Sequence, residues 1–96
     1  MIYKTLLLPI AYEELDEAVG FYEAHKKGLG KDFLEEINSI YFYLLENPFT
    51  FRKNNKGYYE AVLKRFPILI IYEVKENTIY IGSFFHTSRN PKTKPE

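Results

Sequence analysis

Ile68-Leu-Ile-Ile-Tyr-Glu-Val-Lys-Glu-Asn-Thr-Ile-Tyr-Ile-Gly-Ser-Phe-Phe-His86 decides how this chain folds. It is dense in β-branched and aromatic residues and is broken once, at Glu76-Asn77. That composition predicts two antiparallel strands, over 68–74 and 78–85, joined by a tight turn. The first is a nearly continuous apolar run, the mark of a strand buried on both faces and so central in its sheet. Upstream, residues 58–65 read as a third strand. Phe66-Pro67 separates it from the central one, where proline suits a turn or strand start.

Towards the N-terminus the period changes. Residues 3–8 form a short strand candidate stopped by Pro9. Then Ala11, Leu15, Ala18 and Tyr22, widened by Val19, recur on one face of a helix. Glu13, Glu14, Asp16 and Glu17 sit in its opening turns, where negative charge suits the helix dipole, and Lys26, Lys27 and Gly28 close it. Phe33, Ile37, Ile40 and Leu44, with Tyr41 and Leu45 alongside, define a second helix that ends at Asn47-Pro48. The short link Gly28-Leu29-Gly30 predicts an antiparallel helical hairpin. Residues 49–56 read as a basic, polar loop.

The expected fold class is therefore α+β, in the order β-α-α-β-β-β. The helical hairpin covers one face of a mainly antiparallel sheet. Leu15, Val19, Phe33, Ile37, Ile40 and Leu44 are expected to pack against Leu69 and Ile71. With 96 residues, one domain spans 1–96, and 87–96 form an extended polar tail.

Composition narrows the functional classes. There are no cysteines, which excludes disulfides, thiol catalysis and thiolate metal sites. His25 and His86 lack metal-ligand spacing, so neither a metal nor another cofactor is expected. No apolar run approaches the roughly 20 residues a membrane-spanning helix needs, and a cytoplasmic protein is expected. The net charge is zero, yet residues 1–48 carry four lysines against nine acids and residues 49–96 carry nine cations against four acids. An acidic half joined to a basic half suggests an anionic partner, either nucleic acid or an acidic protein segment. The plainer alternative is a solvated acidic helical surface.

The groups suited to phosphate chemistry lie in the basic half. Arg65 and Arg89 offer bidentate guanidinium groups, and His86 titrates near neutrality. Glu60 is a candidate base, although strand alternation sets it on the face opposite Arg65 unless the Phe66-Pro67 turn redirects that arginine, so the two need not meet. Arg52, Lys53, Tyr58, Tyr59, Lys64, Arg65 and Arg89 form the candidate surface for a target or partner, with Tyr58 and Tyr59 as stacking platforms. Tyr22, Tyr41 and Tyr72 are expected to fill the core with their hydroxyls at its edge. As plainer alternatives, Arg65 is a solvated turn residue, His86 a strand-end histidine bonded to backbone, and Arg89 part of the polar tail.

In its order of motifs the chain resembles the RelE/ParE superfamily of type II toxin–antitoxin toxins. The resemblance is carried by Ala11-x3-Leu15-x2-Ala18 leading into Phe21-Tyr22-Glu23, and by Gly28-Leu29-Gly30-x2-Phe33. It continues through Asn47-Pro48, Leu63-Lys64-Arg65-Phe66-Pro67 and Ile71-Tyr72-Glu73 to His86-Thr87-Ser88-Arg89-Asn90-Pro91. The resemblance implies a small toxin held inactive by a cognate antitoxin in a hetero-oligomer. The implied target is DNA gyrase for the ParE-like branch or ribosome-bound mRNA, cleaved without metal, for the RelE-like branch. The tail pattern resembles the ParE-like and plasmid-stabilisation group, which favours a gyrase-type inhibitor. Relatives often have Arg after the aromatic residue that opens the second strand. Here Glu60 follows Tyr58-Tyr59, which also admits a member that keeps the fold but has lost toxicity.

Overall fold

Residues 3–87 are described in a computed structural model, and they form one five-stranded sheet with two helices on one face. In chain order the elements are β1 (Lys4–Leu7), α1 (Pro9–His25), α2 (Leu29–Glu46), β2 (Arg52–Lys53), β3 (Tyr59–Val62), β4 (Ile68–Lys75) and β5 (Thr78–His86). The sheet order is β1-β5-β4-β3-β2. β1 runs parallel to β5, and the other three pairings are antiparallel. The central position expected for the 68–74 run is observed, with β4 between β3 and β5.

The basic loop of residues 49–56 conceals β2, a two-residue strand whose Arg52 and Lys53 pair with Glu60 and Tyr59. Asn54 shapes the return from it. Its side-chain oxygen accepts the N–H groups of Lys56 (2.9 Å) and Tyr58 (3.0 Å), and Gly57 takes φ +88°. A strand this short has no periodicity of its own, so side-chain-to-backbone bonds reveal it where hydrophobic pattern does not.

α1 begins at Pro9 rather than Ile10, and α2 at Leu29 rather than after Gly30, so the link shrinks to Lys26-Lys27-Gly28. The early start moves the acids of α1 out of its first turn, which holds none. Each end of the link has its own solution. Gly28 takes φ +90°, a left-handed conformation that costs a residue with a Cβ about 1 kcal/mol. At Gly30 a Cβ would stand 3.0 Å from Glu23 Oε1 and 3.1 Å from the Val19 carbonyl oxygen, so glycine lets the helices approach. The Glu23 carboxylate then accepts the N–H groups of Gly28 (3.0 Å) and Gly30 (3.0 Å). It serves as the N-terminal cap that α2 lacks from its own residues.

The main core lies between the helices and the sheet. Ala11, Tyr22, Phe33, Ile37 and Leu44 meet Ile68, Ile70, Tyr72, Ile79, Ile81 and Phe84 there, with Leu15, Val19 and Ile40 packed at its border. One expectation is overturned at this point. Leu69 and Ile71 do not meet the helices; with Phe85 they form a separate small cluster on the opposite face of the sheet, against Tyr58. β4 is apolar at both parities, so its periodicity is silent about which face the helices choose. A bulge between Ile71 and Tyr72 places Gly82 as the unpaired residue of β5. It keeps Ile79, Ile81 and Phe84 together on the helix side.

Where β1 stops, α1 takes over the edge of β5. Leu8 N–H still donates to the Ile81 carbonyl (2.9 Å), but beyond Pro9 the chain is helical. Glu14 Oε1 then accepts both the Phe84 N–H and the Ser83 hydroxyl at 2.9 Å. A helix carboxylate thus satisfies the strand donor that a longer β1 would have paired. No helix among the described residues is long and apolar enough to cross a membrane.

Candidate functional site

The turn between β3 and β4 carries Lys64 and Arg65, and α2 holds it. Lys64 N–H donates to Glu36 Oε2, and Arg65 N–H donates to the same carboxylate at 3.2 and 3.4 Å. The Arg65 guanidinium reaches Asp32 (3.4 Å) and lies 5.6 Å from the centre of the Phe66 ring. Asp32 and Glu36 occupy successive turns of one side of α2, so they grip side chain and backbone together. The turn at Arg65 is thus fixed through its backbone, while its guanidinium stays 59% exposed and makes a surface ion pair with Asp32. The strand expected over 58–65 ends at Val62, because Leu63 N–H already closes back onto the Ile68 carbonyl (3.1 Å).

His86 ends β5 beside that turn. It pairs with Ile68, and Thr87 N–H donates to the Pro67 carbonyl (2.9 Å). Its ring stands edge-on to Phe21 at 6.4 Å, and Phe21 in turn lies 4.5 Å from the His25 ring. His86 and the Arg65 turn thus share one end of the molecule, where α1 finishes and α2 begins. Arg89 lies outside the described residues.

Glu60 is elsewhere. It sits opposite Arg52 and Ile71 on the sheet face that the helices leave open, is only 8% exposed, and accepts from Asn54 Nδ2 (3.1 Å). Its strand neighbour Val62 shares that face and is 61% exposed. The two tyrosines beside it are partly committed to packing. Tyr59 stacks on Tyr72 (5.3 Å, 18° between planes) beneath the Lys53 ammonium (5.4 Å), and Tyr58 packs against Leu69, Ile71 and Phe85. Arg52 and Lys53 mark the β2 edge, apart from Arg65.

Tyr72 is wholly buried and donates its hydroxyl to the Pro48 carbonyl (2.7 Å), tying β4 to the end of α2. Burial, reinforced by Tyr59, holds its pKa far above the ordinary phenol range. Burial alone pushes Tyr41 up to about 12, and its buried hydroxyl has no hydrogen-bond partner among the described residues.

The acids Asp32 and Glu36 were not singled out by sequence reasoning as parts of this site. Their signal was faint: two carboxylates spaced i, i+4 on the border of a helix stripe, facing a basic turn that only the fold brings near. Among the described residues, no three His, Cys, Asp or Glu side chains gather at one point.

Comparison with curated proteins returned no match. Among solved structures, the chain superposes on one described as "Chromosomal ParDE TA system from P. aeruginosa" with a TM-score of 0.74. The identity is 18%, over 91% of this chain and 98% of the other. At that identity the likeness speaks for the fold. A family model described as "ParE toxin of type II toxin-antitoxin system, parDE" matches residues 6–91, which runs from β1 through both helices to the segment after β5. On that match, the chain belongs to the ParE toxin family of type II toxin–antitoxin systems.

Proposed function

We propose that this toxin acts by docking on a macromolecular target, with DNA gyrase favoured, and that a cognate antitoxin neutralises it. The carrying observation is the separation of the candidate base, Glu60, from Arg65. Transesterification of RNA needs a base for the 2′-hydroxyl, a stabiliser for the phosphorane and a proton donor for the leaving oxygen, all within hydrogen-bond reach. Here Glu60 lies on the open sheet face with Asn54, whereas Arg65 lies on the helix side against Asp32. That layout supports a recognition surface over a converged acid–base pair.

Expression without antitoxin, with DNA supercoiling and mRNA integrity followed together, tests this reading. Inhibited supercoiling with intact mRNA is the expected result. His86→Ala should then weaken the effect through affinity and leave no cleavage products in either form. One observation favours a second reading, a ribosome-dependent endoribonuclease using Arg65, His86 and Arg89: His86 adjoins the Arg65 turn. Ribosome-bound mRNA cut by the wild type but not by His86→Ala would establish that reading and overturn the first. A chain that does neither is the non-toxic member that Glu60 admits.

The antitoxin is expected to present an acidic or amphipathic segment to the basic surface around Arg65, Lys64 and Arg89. Its association rate should fall as salt rises, because steering between opposite charges is screened beyond about 10 Å at 0.1 M salt. A rate that stays flat from low to high salt would remove the electrostatic part of this reading.

A further inference from the structure

The two edges of the sheet are finished differently. β2 closes one edge with only two residues, Arg52 and Lys53. Shortness and charge are common ways to blunt a strand edge against pairing. β1 closes the other edge with four residues, of which only Lys4 is charged, and it pairs with β5 alone. Two bonds fix its parity: Lys4 N–H donates to the Asn77 carbonyl (3.0 Å) and Leu8 N–H to the Ile81 carbonyl (2.9 Å). Even-numbered residues therefore turn their backbone groups towards β5. Thr5 and Leu7 turn theirs outward, where no backbone group among the described residues pairs with them.

Beyond Lys4, the exposed side chains beside that edge are apolar. Leu6 and Leu8 are 47% and 37% exposed on the open face of the sheet. Leu8 also borders a pocket of about 330 Å³ that runs inward across β5 and β4 to Lys56 and Tyr58.

We propose that the β1 edge is a strand-addition site for an extended segment of the antitoxin. That segment is apolar at alternate positions and carries a carboxylate where it passes Lys4. Main-chain bonds to Thr5 and Leu7 would hold it, and the exposed Leu6–Leu8 strip would select its side chains. A second copy of this chain fits the edge less well. Two four-residue edges joined together fall well short of the roughly 1,200 Å² that stable interfaces bury. A longer partner anchored elsewhere on the toxin does not meet that limit. The inference rests on the antitoxin reading above.

The full chain in complex with its co-expressed antitoxin, followed by amide hydrogen exchange, provides the test. The Thr5 and Leu7 amides should slow at least about tenfold on binding, as expected of a strand gained at an edge. Thr5→Pro deletes only an outward N–H, a place where edge strands tolerate proline, and should weaken binding about tenfold. Leu6→Asp should weaken it in the same direction through the exposed strip. If Thr5→Pro fails to fold, exchange in the wild type decides. A tight complex whose Thr5 and Leu7 amides exchange as in the free toxin overturns this inference and leaves the antitoxin reading standing. Protection that appears without antitoxin and grows with toxin concentration assigns the edge to a second copy and also overturns it. No complex with the antitoxin removes both.

Discussion

The two faces of the central sheet are built from the same strands yet do different work. The face under the helices is closed by Ile68, Ile70, Tyr72, Ile79, Ile81 and Phe84, in one apolar layer with the helical hairpin. The open face has only the small Leu69, Ile71 and Phe85 cluster and mixes it with buried Glu60 and Ser83. On the helix side, stability comes from area removed from water. On the open side, individual polar bonds matter more: Glu60 accepts from Asn54, and the Ser83 hydroxyl donates to Glu14. A charged group among apolar neighbours is tolerated only when paired, which limits what can replace it.

The contrast can be broken first by truncation in β4, where alternate residues belong to different faces. Ile70→Ala opens a cavity under the helices and should cost about 2–5 kcal/mol, as should Leu44→Ala across from it. Leu69→Ala should fall near the lower end of that range, about 2 kcal/mol, because its smaller cluster relaxes more easily. Chemical denaturation of the three variants decides, and equal losses for Ile70→Ala and Leu69→Ala would erase the distinction between the faces.

Next in size are the polar ties. Glu14→Ala strips the Phe84 N–H and the Ser83 hydroxyl of their acceptor and should cost about 1–3 kcal/mol. Tyr72→Phe leaves the buried Pro48 carbonyl without its donor and should also cost about 1–3 kcal/mol. Tyr41→Phe is its control. It removes a buried hydroxyl with no described partner, so thermal unfolding should show no loss, or a slight gain.

The same tyrosines set an alkaline limit. Both folded pKa values are raised by burial, so the unfolded chain releases these protons first, near the ordinary value of about 10. The unfolded state then binds fewer protons than the folded one, and stability falls as pH rises. Their contribution should be complete below pH about 10 and decline as pH climbs towards the Tyr41 value of about 12. Melting curves across that interval should show the decline, and Tyr72→Phe should flatten it.

The smallest expected effect lies at the β4–β5 turn, away from both faces. Glu76 is held at φ +56°, a conformation glycine adopts freely. Glu76→Gly should be stabilising by at most about 1 kcal/mol, since relief of the left-handed strain is partly offset by the greater freedom of the unfolded chain. A clear loss in melting temperature would mean that the Glu76 side chain has a role not visible in its contacts.

Much of this architecture was legible in the residues themselves. The helix stripes Ala11-Leu15-Ala18-Tyr22 and Phe33-Ile37-Leu44, the central run from Ile68 and the Glu76-Asn77 turn are local patterns whose period matches the element they form. Gly28 and Pro9 punctuate the chain for equally local reasons, a positive φ in one case and a lost donor in the other. Local pattern and motif order together were enough for the α+β class and the family.

Tertiary structure decided the rest, because it turns on which surfaces meet. Only packing could say that Ile70, not Leu69 or Ile71, faces the helices, since both parities of β4 are apolar. Only the fold could bring Asp32 and Glu36 to Lys64 and Arg65, roughly thirty positions along the chain. The uneven charge of the two halves has the same lesson. Glu14, Glu23 and Glu36 spend their carboxylates mainly on backbone N–H groups, while Asp32 takes the Arg65 guanidinium. An acid's partner is set by proximity in space, and a one-dimensional count of charges contains none of that information.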